Sequence, residues 1–195
     1  MTSLDVGCGG GSYAIENHLR FGTETTLCDY SEELLALASR QVADAGLKSK
    51  SAFALCSAEQ LPFADGAYDM IQCMEVLEHL QHPERALAEF HRVARKGAHL
   101  IISVPHPPEW FRNEGHVVEG YRASEIRKLM NDAGWRVVHV ECCMLIITRI
   151  VIALNHWIHI PLPLNPLVAL ENLVPKRLRL WLLPYDIVVC AERRE

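Results

Sequence analysis

The decapeptide LDVGCGGGSY, residues 4–13, constrains this chain more than any other stretch. Apolar residues run into Asp5, glycines follow at 7, 9, 10 and 11, and a helical pattern takes over from Tyr13. A strand that ends in a glycine turn and feeds a helix is the opening unit of a nucleotide-binding α/β fold. The rest of the chain repeats that unit. TETTLCDY, SAFALC, YDMIQC, AHLIISV, WRVVHVEC and YDIVVCA read as further strands. EELLALASRQVADAG, PERALAEFHRVAR and ASEIRKLMNDAG read as helices. Ser31 and Ser124 stand where helix N-caps are expected, and Gly46 stands where the helix after Ser31 should end. The alternation predicts a doubly wound, mostly parallel seven-stranded sheet with helices on both faces, within one domain spanning residues 1–195. Ligands of such sheets bind outside the carboxyl ends of the strands, which is where the glycine turn falls.

Half of the residues are hydrophobic and 22% are charged, the composition of a globular domain. A formal net charge of −5 argues against a nucleic-acid partner. The seven cysteines form no CxxC pair and are odd in number. With no signal-peptide pattern ahead of the first motif, they read as free, buried thiols of a cytoplasmic protein. No metal ligand set is expected.

The glycine loop discriminates among nucleotides. A phosphate-binding P-loop needs a lysine after its glycines, and no lysine precedes Lys48. A dinucleotide loop, GxGxxG, would place glycine where Ser12 stands. What the loop offers instead is Asp5 two residues before Gly7, with Gly9 and Gly11 beyond. A carboxylate at a strand end suits the cationic groups of S-adenosylmethionine (SAM), and glycines admit close backbone approach. Asp29, at the end of the second strand, suits two ribose hydroxyls, a requirement that NAD shares.

Together LDVGCGGGSY, CDYSEELLALA, SAEQLPFADGAYDMIQCMEVLEHL and FHRVARKGAHLIISVP resemble the successive motifs of class I SAM-dependent methyltransferases. Within them the chain is similar to the small-molecule group that includes the ubiquinone-biosynthesis type. The resemblance runs from about residue 3 to 142. It implies a Rossmann-like methyltransferase sheet whose last strand is antiparallel. It implies that Asp5, Gly7, Cys8, Gly9 and Gly11 hold the methionine moiety, Asp29 and Tyr30 the ribose, and Ser57, Ala58 and Glu59 the adenine, with Cys73, Met74 and Glu75 facing the cofactor. Family members often carry Asp where this chain has Ser57; serine accepts a hydrogen bond from the adenine amino group without contributing charge. Members also carry a helical lid before the first strand. Here Met1 stands three residues before Leu4, so the reading is a chain lacking that lid, whether as a fragment, through a late start, or with another part covering the site.

Three histidines are candidates for a catalytic base, because an unperturbed imidazole titrates near neutral pH. His79 follows the fourth strand, where a polar residue opening a helix is the alternative. His106 follows the fifth, between two prolines. His116 matches a histidine of the segment that lines the family's acceptor pocket, with a structural hydrogen bond as the alternative. Residues 143–184 form an apolar insert before the last strand. Arg149, Asn155 and His156 interrupt its best run, which argues against a membrane span. Lys176, Arg177 and Arg179 beside Trp181 and Leu182, together with Trp157, have an interfacial character. A core wrap, a peripheral membrane contact for a lipid-linked acceptor, and a homodimer interface all remain open for this insert. For the whole chain the expectation is methyl transfer to an oxygen or carbon centre of a small or lipid-linked acceptor. The alternative is a non-catalytic methyltransferase-like subunit serving a partner protein.

Overall fold

A computed structural model describes residues 1–108, 115–145, 148, 150, 165–171, 173–175, 178 and 184–194. The chain runs β1 (Thr2–Val6), α1 (Ser12–Phe21), β2 (Glu24–Asp29), α2 (Glu32–Asp44), β3 (Ser51–Leu55), β4 (Tyr68–Met74), α3 (Pro83–Val93) and β5 (Ala94–Pro105). It continues through α4 (Ala123–Asp132), β6 (Trp135–Cys143), α5 (Asn165–Glu171) and β7 (Asp186–Arg193). The sheet has seven strands in the order β3-β2-β1-β4-β5-β7-β6. The first five are parallel, and β7 inserts antiparallel between β5 and β6. Strand order reverses between β1 and β4, so the crevice at the carboxyl ends of these two strands is the switch point.

One core fills the space between sheet and helices from Leu4, Ile71, Leu87, Phe90, Leu100, Ile126 and Trp135. Trp135 fastens β6 to α3: it is fully buried, donates its indole N–H to the Leu87 carbonyl at 3.1 Å, and meets His91 edge-on. Truncating an aromatic buried in this way costs about 3–5 kcal/mol. A smaller cluster, Cys8, Ala14, Leu27, Ala38, Val42 and Leu47, packs α1 and α2 on the other face.

Ser31 caps α2 as expected, its hydroxyl accepting the Leu34 N–H at 3.3 Å, and Gly46 follows the helix end with a left-handed backbone. Two boundaries differ. Ser124 is not a cap: it lies within α4, whose N-cap is Arg122, and the Glu125 carboxylate accepts the Arg122 N–H at 2.8 Å. The Tyr121 N–H bound to the Pro105 carbonyl pins the chain just ahead, and the helix begins two residues sooner than a cap at Ser124 would permit. Helix α3 ends at Val93, not Arg95. Ala94 is already paired with Tyr68 of β4, and sheet pairing overrides the local helical pattern.

No disulfide joins the cysteines among the described residues, but Cys56, Cys143 and Cys190 are only half-buried, not fully enclosed as the sequence suggests. In the insert, α5 folds back on the end of β6. The buried Glu171 carboxylate accepts the N–H groups of Leu145 and Thr148 and the Thr148 hydroxyl at 2.6–2.9 Å. The expectations resting on Arg149, Asn155, His156, Trp157, Lys176, Arg177, Arg179, Trp181 and Leu182 lie outside the described residues. Among the described residues no helix is long and apolar enough to cross a membrane.

Candidate functional site

The crevice at the switch point is built from the carboxyl ends of β1 to β4. Asp5 stands one residue before the end of β1 and is 1% exposed. Its Oδ2 finds no hydrogen-bond partner among the described residues. Burial pushes its carboxyl up to about 7; the Gln72 side chain opposes this, and the nearby Asp29 charge adds to it. Gln72 is itself held from α1, its carboxamide oxygen accepting from Asn17 Nδ2 at 2.5 Å.

The loop after β1 folds against β2. The N–H groups of Gly7 and Cys8 both donate to the Cys28 carbonyl, at 2.8 and 3.0 Å. Gly7, Gly9 and Gly11 all have left-handed backbones, which side chains rarely adopt. Gly9 differs from the other two in what surrounds it. A Cβ there would meet nothing within 4 Å, whereas one on Gly7 would lie 2.3 Å from a Val76 methyl and one on Gly11 3.0 Å from Leu27. A side chain at Gly9 would therefore meet open space, while its neighbours are spent on packing. Cys8 turns inward to the smaller core cluster, and burial pushes its thiol up to about 12.

Asp29 ends β2 and is buried. Its Oδ2 accepts the Gly9 N–H at 3.0 Å and its Oδ1 the Ser31 N–H at 2.9 Å. One carboxylate thus fastens the glycine loop to the start of α2, and each oxygen keeps a second lone pair. Tyr30 beside it is 82% exposed. Beyond β3, the Ser57 hydroxyl accepts the Glu59 N–H at 3.2 Å, Ala58 is buried, and Glu59 accepts the His82 N–H at 3.3 Å. Arg92, which the sequence does not single out, braces this edge. It donates to the carbonyls of Leu61 and Phe63 and to the carboxylates of Asp65 and Glu89, all within 2.7–2.9 Å.

At the end of β4, Cys73 is fully buried and shows no side-chain surface to the crevice, Met74 is half-buried, and Glu75 is exposed with a left-handed backbone. His79 closes a short helical turn, Leu77–His79. Its Nδ1–H donates to the Gly115 carbonyl at 2.8 Å, which leaves Nε2 as the basic nitrogen of the neutral ring. The His116 ring meets it edge-on, with centroids 4.6 Å apart. Backbone N–H groups of Val117 and Val118 both donate to the Glu78 carbonyl, so residues 115–121 are tied to this turn. Glu78, fully buried, and the two histidines each offer a ligand atom within 4.8 Å of one another, a donor set that could hold a divalent cation. Glu78 and His79 are adjacent in the sequence, but His116 lies far along the chain, so no spacing leads one to expect it. His106 follows β5, its N–H bound to the Tyr185 carbonyl at 2.7 Å, and is not part of that set.

Comparison with known proteins bears on one half of this architecture. The family model described as a methyltransferase domain matches residues 4–102, just over half of the chain. Ajmaline N-methyltransferase of Rauvolfia serpentina is 35% identical over 99 residues, 51% of this chain and 34% of that protein. Ubiquinone biosynthesis O-methyltransferase of Methylococcus capsulatus is 35% identical over 102 residues, 52% of this chain and 42% of that protein. The chain therefore spans well under half the length of these relatives. A solved SAM-dependent methyltransferase from Aquifex aeolicus superimposes with a TM-score of 0.69 at 23% identity, covering 98% of this chain and 81% of that one. Asp5 to Glu75 and His79 fall inside the matched residues; His106 and His116 fall beyond them.

Proposed function

This chain belongs to the class I SAM-dependent methyltransferases, and from that premise we propose that it transfers a methyl group from SAM to an oxygen or carbon centre of a small acceptor, lipid-linked acceptors included. The observation that carries the reading is Asp5: a carboxyl buried at the switch point, with one oxygen unpartnered among the described residues, near a glycine with open space where a side chain would stand. A cationic amino-acid moiety would complete that arrangement, whereas the pyrophosphate of NAD or ATP would repel it. In this reading the Gly7–Gly11 loop and Asp5 hold the methionine moiety, Asp29 and Tyr30 the ribose, and Ser57, Ala58 and Glu59 the adenine. Cys8 and Cys73 contribute through the backbone.

SAM supplies a methyl group made electrophilic by its sulfonium. The protein's contribution is then alignment of the acceptor and exclusion of water. Where the acceptor is a hydroxyl, His79 Nε2 takes its proton, with the ring held in that tautomer by the Gly115 carbonyl and packed against His116. Calorimetry with SAM, NAD and ATP tests the cofactor assignment, and tight NAD binding without a SAM signal overturns it. Methyl-labelled SAM offered with phenolic, enol and amine acceptors tests the transfer. Incorporation into amines alone would overturn the oxygen-or-carbon reading.

A pH dependence follows. With its carboxyl at about 7, Asp5 is mostly protonated at pH 6 in the free protein. A bound ammonium favours the ionised form, so binding at pH 6 must release a proton and is weakened by that cost. SAM affinity is expected to rise about fivefold between pH 6 and pH 7 and then level off, by linkage of one proton to binding. The sign reverses for folding without ligand: the raised value means Asp5 opposes folding increasingly as pH climbs from about 4 to about 7. Titrations in buffers of different ionisation heat measure the released proton, and Asp5→Asn should abolish it.

A further inference from the structure

Asp5 has a polar neighbour on the sheet to which the cofactor reading gives no role. Leu4 and Val6 of β1, and Ile71 and Cys73 of β4, belong to the larger core cluster. Side chains alternate along a strand, so Asp5 and Gln72 point to the opposite face, the one that α1 covers. The parallel register sets the two residues directly side by side. They are 1% and 5% exposed. Asp5 Oδ2, an acceptor when ionised, and Gln72 Nε2, a donor, both lack a hydrogen-bond partner among the described residues.

Asn17 decides which end of the Gln72 carboxamide is left open. It stands one turn after the buried Ala14 on α1, and its Nδ2 donates to Gln72 Oε1 at 2.5 Å. With the oxygen engaged, the Gln72 NH2 is the end available to a ligand. A donor and an acceptor buried side by side without partners are costly in the free protein, and a ligand that satisfies both removes the cost.

We propose that Asp5 and Gln72 form one recognition site for a zwitterionic α-amino acid head, Asp5 taking the ammonium and the Gln72 carboxamide donating to the carboxylate. That this head is the methionine end of SAM rests on the cofactor reading above.

The dimensions agree. The ammonium and carboxylate of an α-amino acid hang from one carbon. Neighbouring strands run about 4.8 Å apart, so an acceptor on one and a donor on the next reach both groups at once. The charges agree as well. A carboxylate at position 72 would repel the carboxylate of the ligand, and an ammonium there would pair with Asp5 and close the site. A neutral donor does neither. Asn17 acts through Gln72 and is a positioning residue. The site selects against a ligand that keeps the adenosine, sulfonium and ammonium but lacks the carboxylate.

The test is calorimetric titration of the full chain with SAM and with decarboxylated SAM. The intact chain should bind SAM about tenfold more tightly, the worth of one hydrogen bond to a charged group. Gln72→Met keeps the side-chain length and removes the donor. It should erase the preference, weakening SAM about tenfold and changing the decarboxylated ligand by less than about twofold. Asp5→Asn should instead weaken both ligands, since both carry the ammonium. Asn17→Ala leaves the donor in place but frees it to turn, and should cut the preference to about threefold. Asn17 is half-buried, so this variant decides the matter if urea unfolding shows that Gln72→Met does not fold. Equal binding of the two ligands by the intact chain overturns the proposal. So does a Gln72→Met or Asn17→Ala variant that weakens both ligands alike or neither, because Gln72 then serves the fold alone. SAM binding with an unaltered preference in the variants overturns only the role of Gln72. If the intact chain binds neither ligand, the cofactor reading fails and the site falls with it.

Discussion

Replacing Asp29 by Ala is expected to weaken SAM binding by about a hundredfold. Hydrogen bonds to a charged acceptor contribute roughly 1.5–3 kcal/mol each, and two ribose hydroxyls would be lost. The structure adds a second loss. The same carboxylate accepts the Gly9 and Ser31 N–H groups at 3.0 and 2.9 Å, so its removal also frees the loop that faces the ligand. Asp29→Asn keeps one carbonyl acceptor and should lose about tenfold, nearer the value of a single charged bond. Calorimetric titration beside urea unfolding separates lost contacts from lost fold. Unchanged affinity in Asp29→Ala would mean that another group holds the ribose.

Gly120→Ala should be the most damaging single-methyl change outside the cofactor crevice. Gly120 has φ +119, and an added Cβ would lie 2.1 Å from the Pro105 carbonyl oxygen. The neighbour is backbone of β5, held on its other side by β7, and cannot step aside. Backbone strain and overpacking together make a loss of about 3–5 kcal/mol the expected outcome. The Tyr121 N–H bond to Pro105 sits at the same junction, and residues 115–121 carry both His116 and the carbonyl that orients His79. Urea unfolding of the variant measures the loss. SAM affinity of the folded fraction should stay within about twofold, because the crevice residues end at Glu75. A variant as stable as the parent would show that this loop adjusts freely, and the fixed geometry of the His79–His116 pair would fall with it.

Residues 115–121 are also where the sequence was least legible. The glycine loop, Asp5 and Asp29 could be read directly, since a strand, a tight turn and a helix are encoded in adjacent residues through period and glycine placement. The same local logic placed Ser31 at its cap and Gly46 at its helix end. It failed at Ser124 and at the end of α3, where a backbone bond to Pro105 and pairing with β4 outweighed local preference. It also took seven cysteines as a uniform set, whereas strand register encloses Cys28 opposite Ala54 and leaves Cys56, beyond the end of β3, partly open.

The sequence alone therefore determined the alternation of elements and the place of the glycine loop, Asp5 and Asp29 at the strand ends of the switch-point crevice, because each depends on neighbours along the chain. Only the tertiary structure decided what those side chains do to one another. It buried Asp5 with no partner for one oxygen among the described residues and gave the Asp29 carboxylate to the glycine loop. It brought Arg92 to brace residues 61–65 and folded Gly115 and His116 back onto His79. These are contacts between distant segments, fixed by strand register and by the return of loops to the sheet, and no period or spacing along the chain records them.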